Sequence, residues 1–284
     1  MVAALFGLVT VFGGELEMAD LSLITPDLTV PVCQEGIPAA GARVAQTTAG
    51  WTGTAAHHSL YLPSDWKPGT KFPVLVEYPG NGNYRNKFGD VSTGRVEDGR
   101  LGYGISGGKG FIWVVMPFVE IADGTRRNAI TWWGDTEETK RYCIATVPDV
   151  CARFGGDEKR VILTGFSRGA IACNFIGLHD DEIAKLWLAF VCHSHYDGVN
   201  EKWPYPGADR GSALERLKRL AGRPQFISHE VSTTATEAYL KQAGITGRWT
   251  FEPIPFRNHS DQWTLRDIPA RRKLRDWLGA VLAQ

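Results

Sequence analysis

The chain has 284 residues, enough for one large domain to bury a full core. Its 31 Lys+Arg balance 31 Asp+Glu, a formal net charge of 0 with no long run of either sign, which argues against nucleic acid or an anionic membrane surface as a partner. Past the N-terminus no stretch approaches the ~20 apolar residues of a transmembrane helix, and the cysteines Cys33, Cys143, Cys151, Cys173 and Cys192 show neither C-x-x-C nor metal-ligand spacing, so no metal is expected.

Met1 to Gly14 is apolar, ends in Gly13-Gly14 and has the character of a signal-peptide core, although no Lys or Arg precedes it. Residues 1–20 are accordingly read as a signal peptide or N-terminal extension, and 21–284 as a single domain. Secretion or a periplasmic location is expected, with the cytoplasm as the alternative. Pro26, Pro31 and Pro38 then break up short segments, and Ala39 to Trp51 offers a first edge strand. His57 to Leu62 alternates as a strand. Lys71 to Tyr78 carries the run Phe72-Pro73-Val74-Leu75-Val76, a central strand with its proline at the entry. It ends in Pro79-Gly80-Asn81-Gly82-Asn83, where bare backbone N–H groups can approach a ligand; Gly82 or Asn83 is the candidate first oxyanion donor, unless this is a simple Asn-Gly turn.

Tyr84 to Gly110 reads as one short helix and a loop, and Phe111 to Met116 as an apolar strand stopped by Pro117. The loop Phe118 to Asp135 holds Asp123-Gly124 and the pair Trp132-Trp133, either of which lines a cleft or packs against solvent. Thr136 to Phe154 has helical spacing, with Pro148 kinking it or sitting in a wide turn. Cys143 and Cys151 lie two turns apart on it, too far to bond to each other. One or two disulfides elsewhere are open; Cys173 and Cys192 read as apolar side chains under the sheet.

Everything else is organised around Arg160 to Asn174. Val161 to Thr164 reads as a buried strand, Gly165-Phe166-Ser167-Arg168-Gly169 follows at once, and Ala170 to Ile176 is a small-residue helix. This is G-x-S-x-G in its required setting of strand, sharp turn and helix, with glycines where side chains would collide with neighbouring backbone. Ser167 is the candidate nucleophile, and the N–H of Arg168 the second oxyanion donor.

Lys185 to Cys192 is a further strand. It leads into His193 to Arg210, a loop whose His195, Trp203 and Tyr205 are candidates to shape the substrate wall. A helix (Ser212 to Leu220), a strand (Pro224 to His229), a helix (Thr233 to Gln242), a strand (Trp249 to Phe256) and a closing amphipathic helix (Ile268 to Leu282) complete the chain. Strands alternating with helices at this rhythm indicate an α/β fold with a mostly parallel sheet covered on both faces, whose ligands bind beyond the C-terminal strand ends.

The base belongs in a loop just past the last strand, and His259 occupies that place; a histidine takes and returns a proton near neutrality. Its orienting carboxylate is Glu230 or Asp197, with Glu230 preferred because its strand directly precedes the one leading to His259. Asp261 is too close in sequence to serve. Asn258-His259-Ser260 is also formally a glycosylation sequon.

With V-E-Y-P-G-N-G, R-V-I-L-T-G-F-S-R-G-A, the late His259 and the order Ser, acid, His in hand, the chain from about His57 onward resembles the α/β-hydrolases. It is most similar to the compact esterases of the esterase D, feruloyl and acetylxylan esterase, and polyhydroxybutyrate depolymerase groups. The resemblance implies hydrolysis of carboxylic esters through an acyl-enzyme, without a cofactor, on carbohydrate-linked, aryl or polymeric substrates. The sequence departs from those relatives at S-H-E-V-S-T, where many have an Asp, and at Arg168. An arginine in that place resembles the glucuronoyl esterases, in which it assists the oxyanion hole; pointing inward, Arg168 would add charge stabilisation. A serine amidase or peptidase uses the same triad, and a non-catalytic binding protein can be built on the same fold.

Overall fold

The computed structural model describes residues 19–284, so the N-terminal segment read as a signal peptide lies, up to residue 18, outside the described residues. Eight strands join in one sheet: β1 (Arg43–Gln46), β2 (His58–Tyr61), β3 (Phe72–Tyr78), β4 (Ile112–Val115), β5 (Gly156–Phe166), β6 (Ala189–His193), β7 (Pro224–Glu230) and β8 (Arg248–Ile254). Their spatial order is β1-β2-β4-β3-β5-β6-β7-β8. The β1/β2 and β2/β4 pairs are antiparallel, and every pair from β4 through β8 is parallel.

Period-two alternation decides which side chains face which layer. On β3, Val74, Val76 and Tyr78 join the core formed with α2 (Thr136–Phe154) and α3 (Arg168–Phe175), whereas Leu75 faces the other layer with Trp113, Ile162, Val191 and Phe226. That second layer is covered by α1 (Leu101–Ser106) and by α7 (Pro269–Leu282), through Leu101, Ile105, Leu274 and Leu278. The helices α4 (Asp181–Ala184), α5 (Arg210–Leu217) and α6 (Thr234–Ala243) fill the later crossovers. A largely parallel sheet with helices on both faces is the α/β-hydrolase architecture, as expected from the sequence.

Two expectations change locally. The stretch expected as a loop after β4 contains a hairpin, Phe118–Ala122 paired with Thr125–Ala129, turned at Asp123 and Gly124, both at positive φ. Such a dipeptide suits the two left-handed positions of a tight hairpin turn. A second hairpin, of two residues a strand, pairs Tyr84–Arg85 with Val91–Ser92. The helix α2 runs unbroken through Pro148, begun by the Asp135 side chain accepting from Glu138 N–H and ended by Gly155 at φ 78°. All five cysteines are free, and the four other than Cys33 are buried.

Candidate active site

Parallel strands deliver their following residues to one edge of the sheet. Ser167 follows β5, Ser194 follows β6, Glu230 is the last residue of β7, and His259 lies five residues beyond β8. Ser167 sits at φ 55° and ψ −116°, a strained conformation for any residue with a Cβ. The turn is possible only between glycines: a Cβ on Gly165 would come within 2.0 Å of the Gly169 carbonyl oxygen, and one on Gly169 within 1.9 Å of the Tyr78 carbonyl oxygen. The Ser167 N–H donates to the His193 carbonyl at 2.9 Å, which fixes the elbow against the end of β6.

His259 Nε2 lies 3.0 Å from Ser167 Oγ. On the other side of the ring, Nδ1 has Glu230 Oε1 at 2.9 Å and Ser194 Oγ also at 2.9 Å. A carboxylate beside Nδ1 requires the proton there, which leaves Nε2 its lone pair toward Ser167. Burial works to raise the Glu230 carboxyl, but contact with His259, helped by His193 and His229, outweighs it and holds the group well below the usual carboxylate range. His195, its ring centroid 5.2 Å from that of His259, is pushed down to about 4, chiefly by burial and then by the charge of His259. It is therefore a neutral ring at pH 7.

The loop carrying His259 is held from outside the sheet. Asp90, buried in the small hairpin, accepts from the His259 N–H at 2.9 Å and from Asn258 Nδ2 at 3.0 Å, and Asn258 Oδ1 accepts from Leu21 N–H at 2.7 Å. Asn258 is thus a buried anchor, which removes the sequon from the surface of the folded protein.

Ser167 opens on a cavity of about 190 Å³, mostly apolar in its walls. Trp132, Trp203, Tyr84 and Ile171 form much of the lining, with His195, His259, Asn81 and Arg168 completing it. Among the described residues, neither the Asn81 nor the Arg168 backbone N–H has a protein acceptor. Gly82 does: its N–H donates to the Ile130 carbonyl at 2.7 Å, so it is not the open donor the glycine-rich turn suggested. Asn83 is exposed at φ 59° and does not line the cavity. The available N–H in this turn belongs to Asn81, whose side chain accepts from Trp132 N–H at 2.8 Å.

Four further expectations are corrected. Asp197 does not reach His259; it is buried in a two-point ion pair with Arg216 at 2.9 and 3.1 Å. Its carboxyl is pushed up to about 6 by burial, against the pull of Arg216. The Arg168 side chain points into the protein: it donates to the carbonyls of Trp132 (2.6 Å) and Gly94 (3.4 Å) and stacks over Phe118, leaving only its backbone for the site. Trp133 is stacked on Phe175 with centroids 4.6 Å apart. Tyr205 packs against Trp132, Trp133 and Phe175, so these two rings support the wall formed by Trp132 and Trp203 without facing the cavity. Asp90, Ser194 and Asn81 were not singled out from the sequence as site residues. Only Asn81 carried a signal, its place in the Pro79–Asn83 turn.

No family model and no curated protein matches the chain. Solved structures do. Dipeptidyl peptidase 4 of Porphyromonas gingivalis is 15% identical with a TM-score of 0.54, over 87% of this chain and 36% of that one. An acetyl ester-xyloside bifunctional hydrolase of Caldicellulosiruptor lactoaceticus is 14% identical with a TM-score of 0.54, over 87% of this chain and 98% of that one. A thermostable esterase is 16% identical with a TM-score of 0.52, over 84% of this chain and 62% of that one. The chain therefore spans less than two thirds of the peptidase and of the thermostable esterase, and nearly all of the bifunctional hydrolase. At these identities the likeness establishes one thing, that the chain has the α/β-hydrolase fold.

Proposed function

We propose that the protein is a serine carboxylic-ester hydrolase working through an acyl-enzyme. The observation that carries this reading is the 3.0 Å approach of His259 Nε2 to the strained Ser167 Oγ, with Glu230 beside the opposite ring nitrogen. Ser167 Oγ attacks the acyl carbonyl as its proton passes to Nε2. The negative charge that develops on the carbonyl oxygen is met by the backbone N–H groups of Arg168 and Asn81, both free and both bordering the cavity. His259 then gives its proton to the departing alcohol, and water repeats the sequence to release the acid. Oxyanion stabilisation falls to two neutral backbone dipoles, since the Arg168 guanidinium is engaged elsewhere.

The cavity bears on the substrate. Aromatic and aliphatic walls enclosing about 190 Å³ suit a small acyl group, aliphatic or aryl, and offer no charged side chain to an anionic one. Labelling with a fluorophosphonate followed by mass spectrometry tests the reading: the label is expected on Ser167 and absent in Ser167→Ala. Turnover of p-nitrophenyl acetate and benzoate, with none of peptide p-nitroanilides, is the expected specificity. Folded protein that takes no label would exclude nucleophilic catalysis by Ser167.

A further inference from the structure

We propose that Ser194 is a positioning residue for His259, its hydroxyl accepting from Nδ1 beside the charged Glu230 carboxylate. The proposal rests on the hydrolase reading above and adds a fourth participant to it. Both oxygens lie 2.9 Å from Nδ1, but they are not equivalent. Ser194 Oγ is hydrogen-bonded to Nδ1. Glu230 Oε1 meets the same nitrogen as an ion-pair contact, and among the described residues the buried Glu230 carboxylate has no other hydrogen-bond partner. The carboxylate still fixes the tautomer, since an anion against the Nδ1 lone pair is repulsive; Ser194 Oγ must therefore accept from Nδ1. That bond becomes charge-assisted when the ring takes up the Ser167 proton, so it is stronger in the transition state than at rest.

The backbone supplies a second, independent observation. Ser194 is fully buried at φ 88°, a region that glycine enters freely and other residues at a cost, and its N–H is tied to the Ser228 carbonyl at 2.8 Å. Among the described residues its hydroxyl meets no side chain other than His259. A serine is thus held in a glycine conformation with its Oγ presented to the ring.

The test compares Ser194→Gly, Ser194→Ala and Glu230→Gln with wild type. Ser194→Gly removes the hydroxyl and the backbone strain together, and Ser194→Ala removes the hydroxyl alone. Both are expected to lower kcat about tenfold at nearly constant KM, and Ser194→Gly is expected to melt higher than wild type. The pH profile separates the two partners. The groups facing His259 are Glu230 and His229 from β7, His193 and His195 around the end of β6, Tyr84 and Asp90 from the small hairpin, and Asp261 two residues on. A bond that strengthens as the ring becomes charged favours the charged ring, so the Ser194 variants should move the acid limb of kcat/KM to lower pH, and Glu230→Gln should move it further because it removes a full charge.

The hydrogen bond is also read without turnover, as the downfield Nδ1–H resonance of His259 in ¹⁵N-histidine-labelled protein. It should shift upfield in Ser194→Ala. Wild-type kcat in both Ser194 variants, or a resonance indifferent to Ser194→Ala, would overturn the positioning role. A wild-type protein with the resonance but no fluorophosphonate label on Ser167 would overturn the hydrolase reading alone.

Discussion

Ser167 is held above the sheet by contacts so close that two positions admit no side chain. A methyl group on Gly169 would stand 1.9 Å from the Tyr78 carbonyl oxygen, and neither partner is a flexible side chain that could move away. Gly169→Ala is accordingly expected to cost about 3 kcal/mol or more, at the upper end of overpacking, and to abolish labelling of Ser167 as α3 is pushed off β3. A urea midpoint equal to that of wild type would show that the elbow relaxes more easily than its geometry implies. These glycines explain why the nucleophile is legible in the sequence: a steric requirement leaves residue identities behind. The oxyanion donors are not legible in the same way. Gly82 and Asn81 both have an N–H, and only the position of the Ile130 carbonyl decides that the first is occupied and the second free. Asp197 and Glu230 likewise both lie at or just past the end of a strand; what separates them is Arg216, brought by α5 against Asp197.

At the level of elements, the last strand does not position the base by itself. The loop after β8 is fastened to a hairpin some 170 residues earlier in the chain, through the two bonds that Asp90 accepts from Asn258 and His259. Asp90→Ala leaves both donors without an acceptor in a largely buried place, an expected loss of about 2–3 kcal/mol. The loop would then sample positions with Nε2 away from Ser167, so kcat should fall by about 10–100-fold with little change in KM. Asp90→Asn keeps one acceptor oxygen and should recover part of both; if Asp90→Ala turns over like wild type, β8 alone is sufficient. The hairpin escaped the sequence reading because two residues a strand are too few to show alternation, and Asp90 has no motif around it. The central strands had the opposite advantage: β3 and β4 are apolar runs whose ends match the folded ones to within a residue, whereas β5 extends its apolar run Val161 to Thr164 back through the charged residues from Gly156 and on to Phe166.

Over the whole molecule, the burial of uncharged histidines sets how stability responds to pH. His58 is pushed down to about 3 by burial against α2, where its Nδ1 lies 2.9 Å from the Tyr142 hydroxyl; His193 and His195 are pushed down to about 4, mainly by burial. Each stays neutral in the folded protein after the unfolded chain, titrating near 6.5, has taken a proton. The unfolded state therefore binds more protons below that pH, and stability falls as pH falls. Asp197 opposes this, since a carboxyl raised to about 6 keeps in the folded state a proton that the unfolded chain has lost. His57, held up by Glu97, is protonated in both states below pH 6.5 and adds no slope there. Glu77 and Asp261, whose carboxyls burial also raises, act in the same direction as Asp197, and the three histidines are expected to outweigh them, so that stability falls between pH 6.5 and 5. Denaturant midpoints at pH 7, 6 and 5 measure this directly, and equal midpoints would contradict it. His58→Gln keeps an acceptor for Tyr142 without a group that titrates, so the same series in that variant should lose roughly a third of the histidine contribution to the slope. A slope unchanged by that substitution would place the linked protons on other groups.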